Sequence, residues 1–188
     1  MIRETMTALL ACLVTFILCA IAYPAAVWGL ANLAFPHQAE GSLVYDRERT
    51  VIGSELVAQP FASDAYFHPR PSAVGYKADA GAGSNLGSKN PDLRQKLAER
   101  AAALKATAER PTPVDLVMAS GSGLDPHISP EAAEYQLRRV AAARGLPEDQ
   151  VRALIDAHTD RSGAILGAPP RVNVLLLNLA LDRRRNSG

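Results

Sequence analysis

Charged side chains are missing near the start of this 188-residue chain, since there is no Asp, Glu, Lys or Arg between Thr5 and Ala39. Within that stretch, the run from Ala8 to Trp28 is apolar almost throughout. A helix over this run would be about 30 Å long, which matches the hydrocarbon thickness of a bilayer. The pattern excludes an ordinary surface segment and predicts one membrane-spanning helix.

Cysteine is scarce, since Cys12 and Cys19 are the only two and both lie in the apolar run. The rest of the chain can therefore form no disulfide, which is compatible with an oxidising compartment. Arg3 and the free amine before the span favour a cytoplasmic N-terminus. We expect three parts: a cytoplasmic N-terminus over residues 1–6, a transmembrane helix with its extension over 7–35, and one extracytoplasmic domain over 36–188.

A cleaved signal peptide is the alternative to a retained span. Ala20, Ile21 and Ala22 resemble a small-residue cleavage site, and Arg3 supplies a minimal charged head. However, the apolar run outlasts the roughly 7 to 15 residues of an ordinary signal core. The sequence therefore favours a helix that stays in the membrane.

An excess of positive charge is also absent, because the formal net charge is only +1. Phosphate backbones require a basic excess, so this balance argues against nucleic acid as a partner. About 150 residues follow the span, which is enough for one domain with its own core.

The pattern after the span predicts an α+β domain of mixed helices and strands. A hairpin is expected over Gly41–Val57 and an ordered loop over Gln59–Asn90. The further expected elements are a helix from Pro91 to near Glu109, a buried strand over Val114–Ser120, a helix from Pro130 to Arg144, a short helix after Pro147, and a last element over Val172–Leu181, where helix is favoured over strand.

The motifs of several common sites are missing. The glycine-rich stretch from Gly81 to Asn90 lacks the Gly-Lys-Ser/Thr ending of a phosphate-binding loop. An Asp-Lys-Thr-Gly-Thr phosphorylation motif does not occur, and the four histidines are scattered without metal-ligand spacing. We therefore expect no catalytic, cofactor-binding or metal-binding residues in this chain.

Two other functions stay open. Ser120 or Ser122 together with His127 could serve a membrane-anchored exported hydrolase, although triads are assembled by a fold rather than by one loop. Hydrogen bonds within the turn, with Asp125, are the simpler interpretation of the same residues. The other alternative is an exported scaffold module.

Long strings of this sequence resemble the C subunit of the bacterial Kdp potassium-transporting ATPase, the KdpC family. The resemblance covers nearly the whole chain. Beyond the single N-terminal span, the strings that carry it are GSELVAQPF (53–61), YFHPRPSA (66–73), GSNLGSKN (83–90), PVDLVMASGSGLDPHISPEAA (113–133) and RVNVLLLNLALD (171–182).

The resemblance implies a non-catalytic subunit of a high-affinity potassium import complex in the bacterial inner membrane. Its partners would be a channel-like potassium-binding subunit, a P-type ATPase subunit and a small single-span subunit. The complex would use ATP, Mg²⁺ and K⁺, while this chain alone would bind none of them. The resemblance also implies a catalytic chaperone that raises ATP affinity, an effect that an outer domain could transmit only through the span.

Two sets of residues are expected to contact partners. Small residues allow close approach between helices in lipid, although the alternative is a plain anchor; they are Ala8, Ala11, Ala22, Ala25 and Gly29. Aromatic residues and Arg are enriched in interface cores, although the alternative is a role in the domain core; the predicted docking set is Tyr66, Phe67, Arg70, Tyr76 and Asn85.

Overall fold

Residues 2–34 form one long helix in the computed structural model, which describes residues 1–107 and 110–185. The chain divides into two units, Met1–Leu43 and Val44–Gly188. The first unit contains α1 (Ile2–Phe16), a π-helical turn (Ile17–Ala22), α2 (Tyr23–Ala34) and the short α3 (Pro36–Ala39). By length and composition, the helix over Ile2–Ala34 qualifies as a membrane span, and its side chains are not buried.

The π-helical turn is explained by Pro24. A proline lacks the backbone N–H, and its ring collides with the carbonyl one helical turn earlier, at Ala20. Widening the turn relieves this collision, and the Tyr23 N–H donates to the Leu18 carbonyl, five residues back. The helix therefore continues past a proline that would otherwise break it.

A hairpin opens the second unit, as the sequence predicts. Strand β1 (Leu43–Tyr45) pairs with β2 (Val51–Ser54). The Asp46 carboxylate closes the turn, because it accepts the backbone N–H groups of Glu48 and Thr50, each at 2.8 Å. The loop predicted over Gln59–Asn90 follows, and it contains neither helix nor strand.

The remaining elements form a helical layer around a small antiparallel sheet. The sheet has the order β3-β5-β4 and consists of β3 (His127–Ile128), β5 (Arg171–Asn173) and β4 (Thr159–Asp160). The helices are α4 (Pro91–Ala103), α5 (Val114–Val117), α6 (Pro130–Arg144), α7 (Glu148–Ala157) and α8 (Val174–Arg185), with a 3₁₀ turn over Ser162–Leu166. The α+β prediction is confirmed.

Local end signals place the helices. The Asn90 side chain accepts the Asp92 N–H at the start of α4, and the Ser129 hydroxyl accepts the Ala132 N–H at the start of α6. Gly145 ends α6 in the left-handed conformation, with φ of 65°. These boundaries were predicted from the sequence and are confirmed.

The core lies where α6, α7 and α8 meet the sheet. Its side chains come from all of these elements, and the following are less than 2 % exposed: Phe67, Ile128, Leu137, Val140, Val151, Val172, Leu177 and Leu181. The apolar face predicted for the helix after Pro147 is buried, as expected.

Two predictions about elements were wrong. Helix α4 ends at Ala103, well before Glu109, which lies outside the described residues. It ends in a Schellman motif, in which the Ala106 N–H donates to the Ala101 carbonyl and Lys105 takes the left-handed conformation with φ of 55°.

The strand predicted over Val114–Ser120 is instead a single helical turn, α5, followed by extended chain. Pro113 begins the turn, and its carbonyl accepts the Leu116 N–H. Leu116 is buried, which explains the apolar pattern without a strand.

The last apolar run, Val172–Leu181, is mostly helix, which the sequence favours over strand. Arg171–Asn173 forms the central strand β5, and α8 follows directly. The side chain of Asn173 accepts the N–H of Leu176, so this residue caps the helix as the sequence suggested.

Candidate functional site

A stretch of the long loop, Asp64–His68, is held between α6 and α8 by side-chain amides; we call it the clamped segment. Asn178 on α8 accepts the Phe67 N–H at 2.8 Å and donates to the Phe67 carbonyl at 3.0 Å. Gln136 on α6 does the same for His68, at 2.8 and 3.1 Å. Both amides are at most 3 % exposed. Each amide thus replaces the partner strand that these backbone groups lack.

Arg139 on α6 holds the same segment from its other end. Its guanidinium donates to the carbonyls of Asp64 at 2.7 Å and Tyr66 at 3.0 Å, and to the Gln136 side chain at 2.8 Å. Burial, reinforced by this guanidinium, lowers the pKa of His68 below its ordinary 6.5. His68 is therefore neutral at physiological pH.

Tyr66 is fixed by an ion pair between a buried Arg144 and a half-buried Asp182. Arg144 is only 6 % exposed in its side chain and bonds Asp182 at 2.9 Å. Its guanidinium lies 4.8 Å from the centre of the Tyr66 ring, and the Tyr66 hydroxyl donates to the same carboxylate at 3.1 Å. Ring, cation and carboxylate thus form one closed network.

Arg70 and Tyr76 lie further along the same loop and contact each other. The Tyr76 hydroxyl donates to the Arg70 carbonyl at 3.0 Å, and burial raises the pKa of that hydroxyl above its ordinary value. Arg70 in turn bonds Asp125 at 3.3 Å. Both residues are half-buried, whereas Asn85 is exposed.

Phe67 differs from the other four residues of the predicted docking set. It is 0 % exposed and belongs to the main core cluster, so its side chain has no surface for a partner. The alternative of a core aromatic therefore describes Phe67. For Tyr66, Arg70, Tyr76 and Asn85, contact with a partner stays a prediction.

Two glycines of the glycine-rich stretch, Gly81 and Gly83, lie against the loop after α5. A Cβ added to Gly83 would lie 2.8 Å from the Gly121 carbonyl oxygen, which is closer than van der Waals contact allows. A Cβ on Gly123 would be equally close to the Ala82 carbonyl oxygen. The two loops approach backbone to backbone, and only glycine permits this distance.

Replacing Gly83 by alanine should therefore lower the free energy of unfolding by about 1 to 3 kcal/mol, because two backbone segments must separate. Gly87→Ala is the matched control, since its Cβ would meet no atom within 4 Å. Urea unfolding of the two variants, followed by circular dichroism, measures the difference. Equal stability of both variants would contradict the close approach.

The serine and histidine cluster is a hydrogen-bonded turn. The hydroxyls of Ser120 and Ser122 lie 3.3 Å apart, and they accept the N–H groups of Asp125 and Leu124, respectively. The His127 ring bonds the Asp125 carboxylate at 3.3 Å. No bond between His127 and either serine is present in the described part of the chain. The geometry is the turn chemistry that the sequence suggested.

Asp125 should make the domain sensitive to acid. The His127 side chain, with further help from its N–H and from Arg70, holds the pKa of this carboxyl below its ordinary 3.8. The stabilisation is therefore complete above the unfolded value and disappears as the pH falls through the lowered folded value. We expect the stability difference between the natural chain and Asp125→Asn to shrink below pH 3.8, as measured by urea midpoints. A difference independent of pH would contradict this role.

The small residues predicted to pack in the membrane all lie on the N-terminal helix. Ala8 and Ala11 belong to α1, Ala22 ends the π-helical turn, and Ala25 and Gly29 belong to α2. All five are exposed, and a Cβ on Gly29 would meet nothing within 4 Å. Their packing against a partner stays a prediction.

Sequence reasoning missed the residues that hold the clamped segment: Gln136, Arg139, Asn178 and Asp182. A signal for two of them is present. Asn178 interrupts an apolar helical run, and Gln136 occupies the buried face of α6 between Ala132 and Val140. A polar residue at a core position requires a hydrogen-bond partner, although its identity does not follow from the pattern.

The comparisons with known proteins decide the family. A family described as "K+-transporting ATPase, c chain" matches residues 5–183. The chain belongs to the KdpC family. A potassium-transporting ATPase KdpC subunit of Geobacter metallireducens is 54 % identical over 181 residues, which cover 94 % of this chain and 95 % of the relative.

Other members of the KdpC family match over a similar extent. The subunit of Myxococcus xanthus is 49 % identical, with 98 % of this chain and 90 % of the relative covered. The subunit of Pseudomonas aeruginosa is 47 % identical, with 96 % of this chain and 97 % of the relative covered. The resemblance stated from the quoted strings is confirmed, and the chain is an accessory subunit of a potassium-transporting ATPase complex.

Proposed function

We propose that this chain is a non-catalytic subunit that assembles and stabilises a high-affinity, ATP-driven potassium import complex. The observation that carries the proposal is the family match over residues 5–183, which includes the apolar helix as well as the folded domain. The domain's internal structure supports it, because its buried polar side chains hold loops in place. Gln136, Asn178 and Ser120 all bond backbone groups of the same chain.

The partners are proposed from the resemblance to the KdpC family. We propose a channel-like subunit that selects potassium, a P-type subunit that hydrolyses ATP with Mg²⁺, and a small single-span subunit, all surrounded by membrane lipid. This chain itself binds neither ATP nor ions in the proposed mechanism. Within residues 1–107 and 110–185, no group of three or more metal-ligating side chains is found.

The proposed topology is a single pass through the bacterial inner membrane, with the N-terminus in the cytoplasm and the domain outside. Arg3 before the span supports this orientation. Protease access to the region after Phe35, compared between intact and permeabilised cells, tests it. Cleavage in intact cells is expected; cleavage only after permeabilisation would reverse the orientation.

The docking surface proposed for the domain consists of Tyr66, Arg70, Tyr76 and Asn85. Rigidity supports this surface, because Tyr66 is fixed by Arg144 and Asp182, and Tyr76 bonds the Arg70 carbonyl. A surface that is ordered before binding loses little conformational entropy on contact. Aromatic and Arg side chains also contribute most strongly when they are buried in interfaces.

An effect on ATP affinity is proposed as a long-range coupling. An outer domain cannot contact a cytoplasmic nucleotide, so the coupling must pass through the span and the helices packed on it. The small residues Ala8, Ala11, Ala22, Ala25 and Gly29 would provide that contact. Exchanging the span for an unrelated apolar helix should then raise the ATP concentration needed for half-maximal hydrolysis by the purified complex.

Potassium uptake tests the proposed function. Cells that lack this chain should lose growth and uptake at low external potassium, and the full chain should restore both. The variant Ser122→Ala should restore them equally well, because this exposed hydroxyl bonds one backbone N–H and the Ser120 hydroxyl, both within the same turn. Undiminished uptake without the chain would contradict the proposal, and loss of uptake with Ser122→Ala would favour the hydrolase alternative.

A further inference from the structure

The loop between β4 and β5 carries two large aliphatic side chains into solvent. Ile165 is 96 % exposed and Leu166 is 91 % exposed. Among the described residues from Val44 onward, the next most exposed large apolar side chain is that of Val114, at 66 %. All residues from Arg161 to Pro170 except Gly163 are exposed. We call Ile165 and Leu166, which lie midway along this loop, the apolar tip.

The loop is braced at its base. Arg171 bonds the Asp160 carboxylate at 3.0 Å across the two strands, and the same carboxylate accepts the Ser162 N–H at 2.8 Å. These two contacts lower the pKa of Asp160 to about 2, with the Ser162 bonds contributing most. The carboxylate is therefore charged at any physiological pH, and the brace persists.

The apolar tip itself is folded by backbone hydrogen bonds. The 3₁₀ turn over Ser162–Leu166 is followed by Gly167 in the left-handed conformation, with φ of 76°. The Gly167 N–H donates to the Ala164 carbonyl, and the Ala168 N–H donates to the Gly163 carbonyl, both at 3.0 Å. These bonds fold the tip into a defined turn, and a segment that is folded before binding loses less entropy on contact.

Two adjacent aliphatic side chains in water forgo the stabilisation that burial would give. Single exposed apolar residues are common on protein surfaces, but a pair at the end of a braced protrusion indicates a contact with another molecule. A second copy of this chain is a poor occupant, since two such side chains bury far less than the roughly 1,200 Å² of a stable interface.

A lipid surface is also disfavoured. Segments that bind membrane interfaces carry Trp or Tyr together with several Lys or Arg residues. The loop from Arg161 to Pro170 has no aromatic residue, and Arg161 is its only basic residue. Arg161 is exposed, and its side chain has no ion pair within the part of the chain described. A neighbouring carboxylate on a protein partner would match this charge.

We propose that the apolar tip inserts into an apolar pocket, with a carboxylate at its rim, on another subunit of the potassium-transporting ATPase complex. This inference rests on the proposed function, because it requires that subunits of that complex lie beside the domain. It adds a second contact to the docking surface around Tyr66. Together, the two contacts would fix the orientation of the domain on its partner.

Site-specific photocrosslinking in native membranes tests the inference. A benzoylphenylalanine is placed at position 165 of the full chain, expressed with all other subunits, and the adducts are identified by mass spectrometry. We expect an adduct with a named subunit of the complex, at least fivefold more abundant than from position 114, the matched exposed control. An adduct only with lipid, only with a second copy of this chain, or with nothing would overturn the inference.

A second benzoylphenylalanine variant, with the probe at position 25 in the apolar helix, separates this inference from the proposed function. If position 25 captures a transporter subunit and position 165 does not, the tip inference fails and the proposed function stands. If neither position captures a transporter subunit, both fail.

Substitution of the tip provides a second readout. Ile165→Ser combined with Leu166→Ser should reduce retention of the chain in the detergent-extracted complex about tenfold or more, because two buried aliphatic contacts are lost. Arg161→Glu should reduce retention of the chain in the complex, whereas Arg161→Lys should leave retention unchanged. The control Val114→Ser should leave retention unchanged. Full retention of the double variant would overturn the inference. Because both positions are exposed, the fold should stay intact, which circular dichroism verifies.

Discussion

Replacing Phe67 by alanine will lower the free energy of unfolding of the domain by about 3 to 5 kcal/mol. The ring is 0 % exposed and lies within the main core cluster, so its removal leaves a cavity that the surrounding helices fill only in part. Chemical unfolding of the full chain in detergent, followed by circular dichroism, measures the loss. The helix in the micelle contributes a constant background to that signal.

Two further variants show whether Phe67 acts in the core or at an interface. Phe67→Leu retains most of the apolar volume and should recover much of the stability together with assembly into the complex. Tyr45→Ala removes an aromatic ring that is 46 % exposed and should have a much smaller effect. A stable Phe67→Ala variant that fails to join the complex would instead assign Phe67 to the partner interface.

Replacing Asn178 by alanine will lower the free energy of unfolding by at least about 2 kcal/mol, since two buried backbone groups lose their partners. Those groups are the N–H and the carbonyl of Phe67, which bond the Asn178 amide at 2.8 and 3.0 Å. Thermal or urea unfolding of the full chain measures the change. In addition, the clamped segment should become accessible to protease in the variant.

Asn178→Leu distinguishes lost hydrogen bonds from lost volume. Leucine fills the space but offers no amide, so this variant should be as unstable as Asn178→Ala. Gln95→Ala is the matched amide control, because the Gln95 side chain makes only an exposed bond to Glu99 on the same helix. The Gln95→Ala variant should change the free energy of unfolding by no more than about 0.5 kcal/mol. Recovery of full stability in Asn178→Leu would contradict the role of the amide.

The sequence predicted features that depend on local chemistry. Asn90, Ser129 and Gly145 set helix ends through contacts within four residues, so their roles follow from residue type alone. The N-terminal apolar helix was predicted from the absence of charged side chains between Thr5 and Ala39. The hairpin at Asp46 likewise closes through bonds to residues two and four positions away.

Features that depend on distant partners did not follow from the sequence. The end of α4 was predicted too late because Lys105, rather than a glycine, adopts the left-handed conformation there. The Leu104 carbonyl is held by the Tyr135 hydroxyl, 31 residues away. The strand predicted at Val114–Ser120 failed for a similar reason, since Leu116 packs into the core from a short helix.

The candidate site also combines features that residue type predicts with features that depend on distant partners. Its aromatic and Arg residues were predicted because their types are typical of interfaces, and their contact with a partner stays a prediction. The amides that hold the segment were missed, because Gln136 is 68 residues from His68 and Asn178 is 111 residues from Phe67. The buried position of Phe67 was missed too, since a loop sequence without period does not reveal which aromatic points inward.

Native mass spectrometry of the detergent-extracted complex tests the central claim most directly. The account predicts that this chain, with its N-terminal helix retained, is released from one assembly that also contains a P-type ATPase subunit. Recovery of the chain as a free, water-soluble polypeptide that lacks its N-terminal helix would contradict the account.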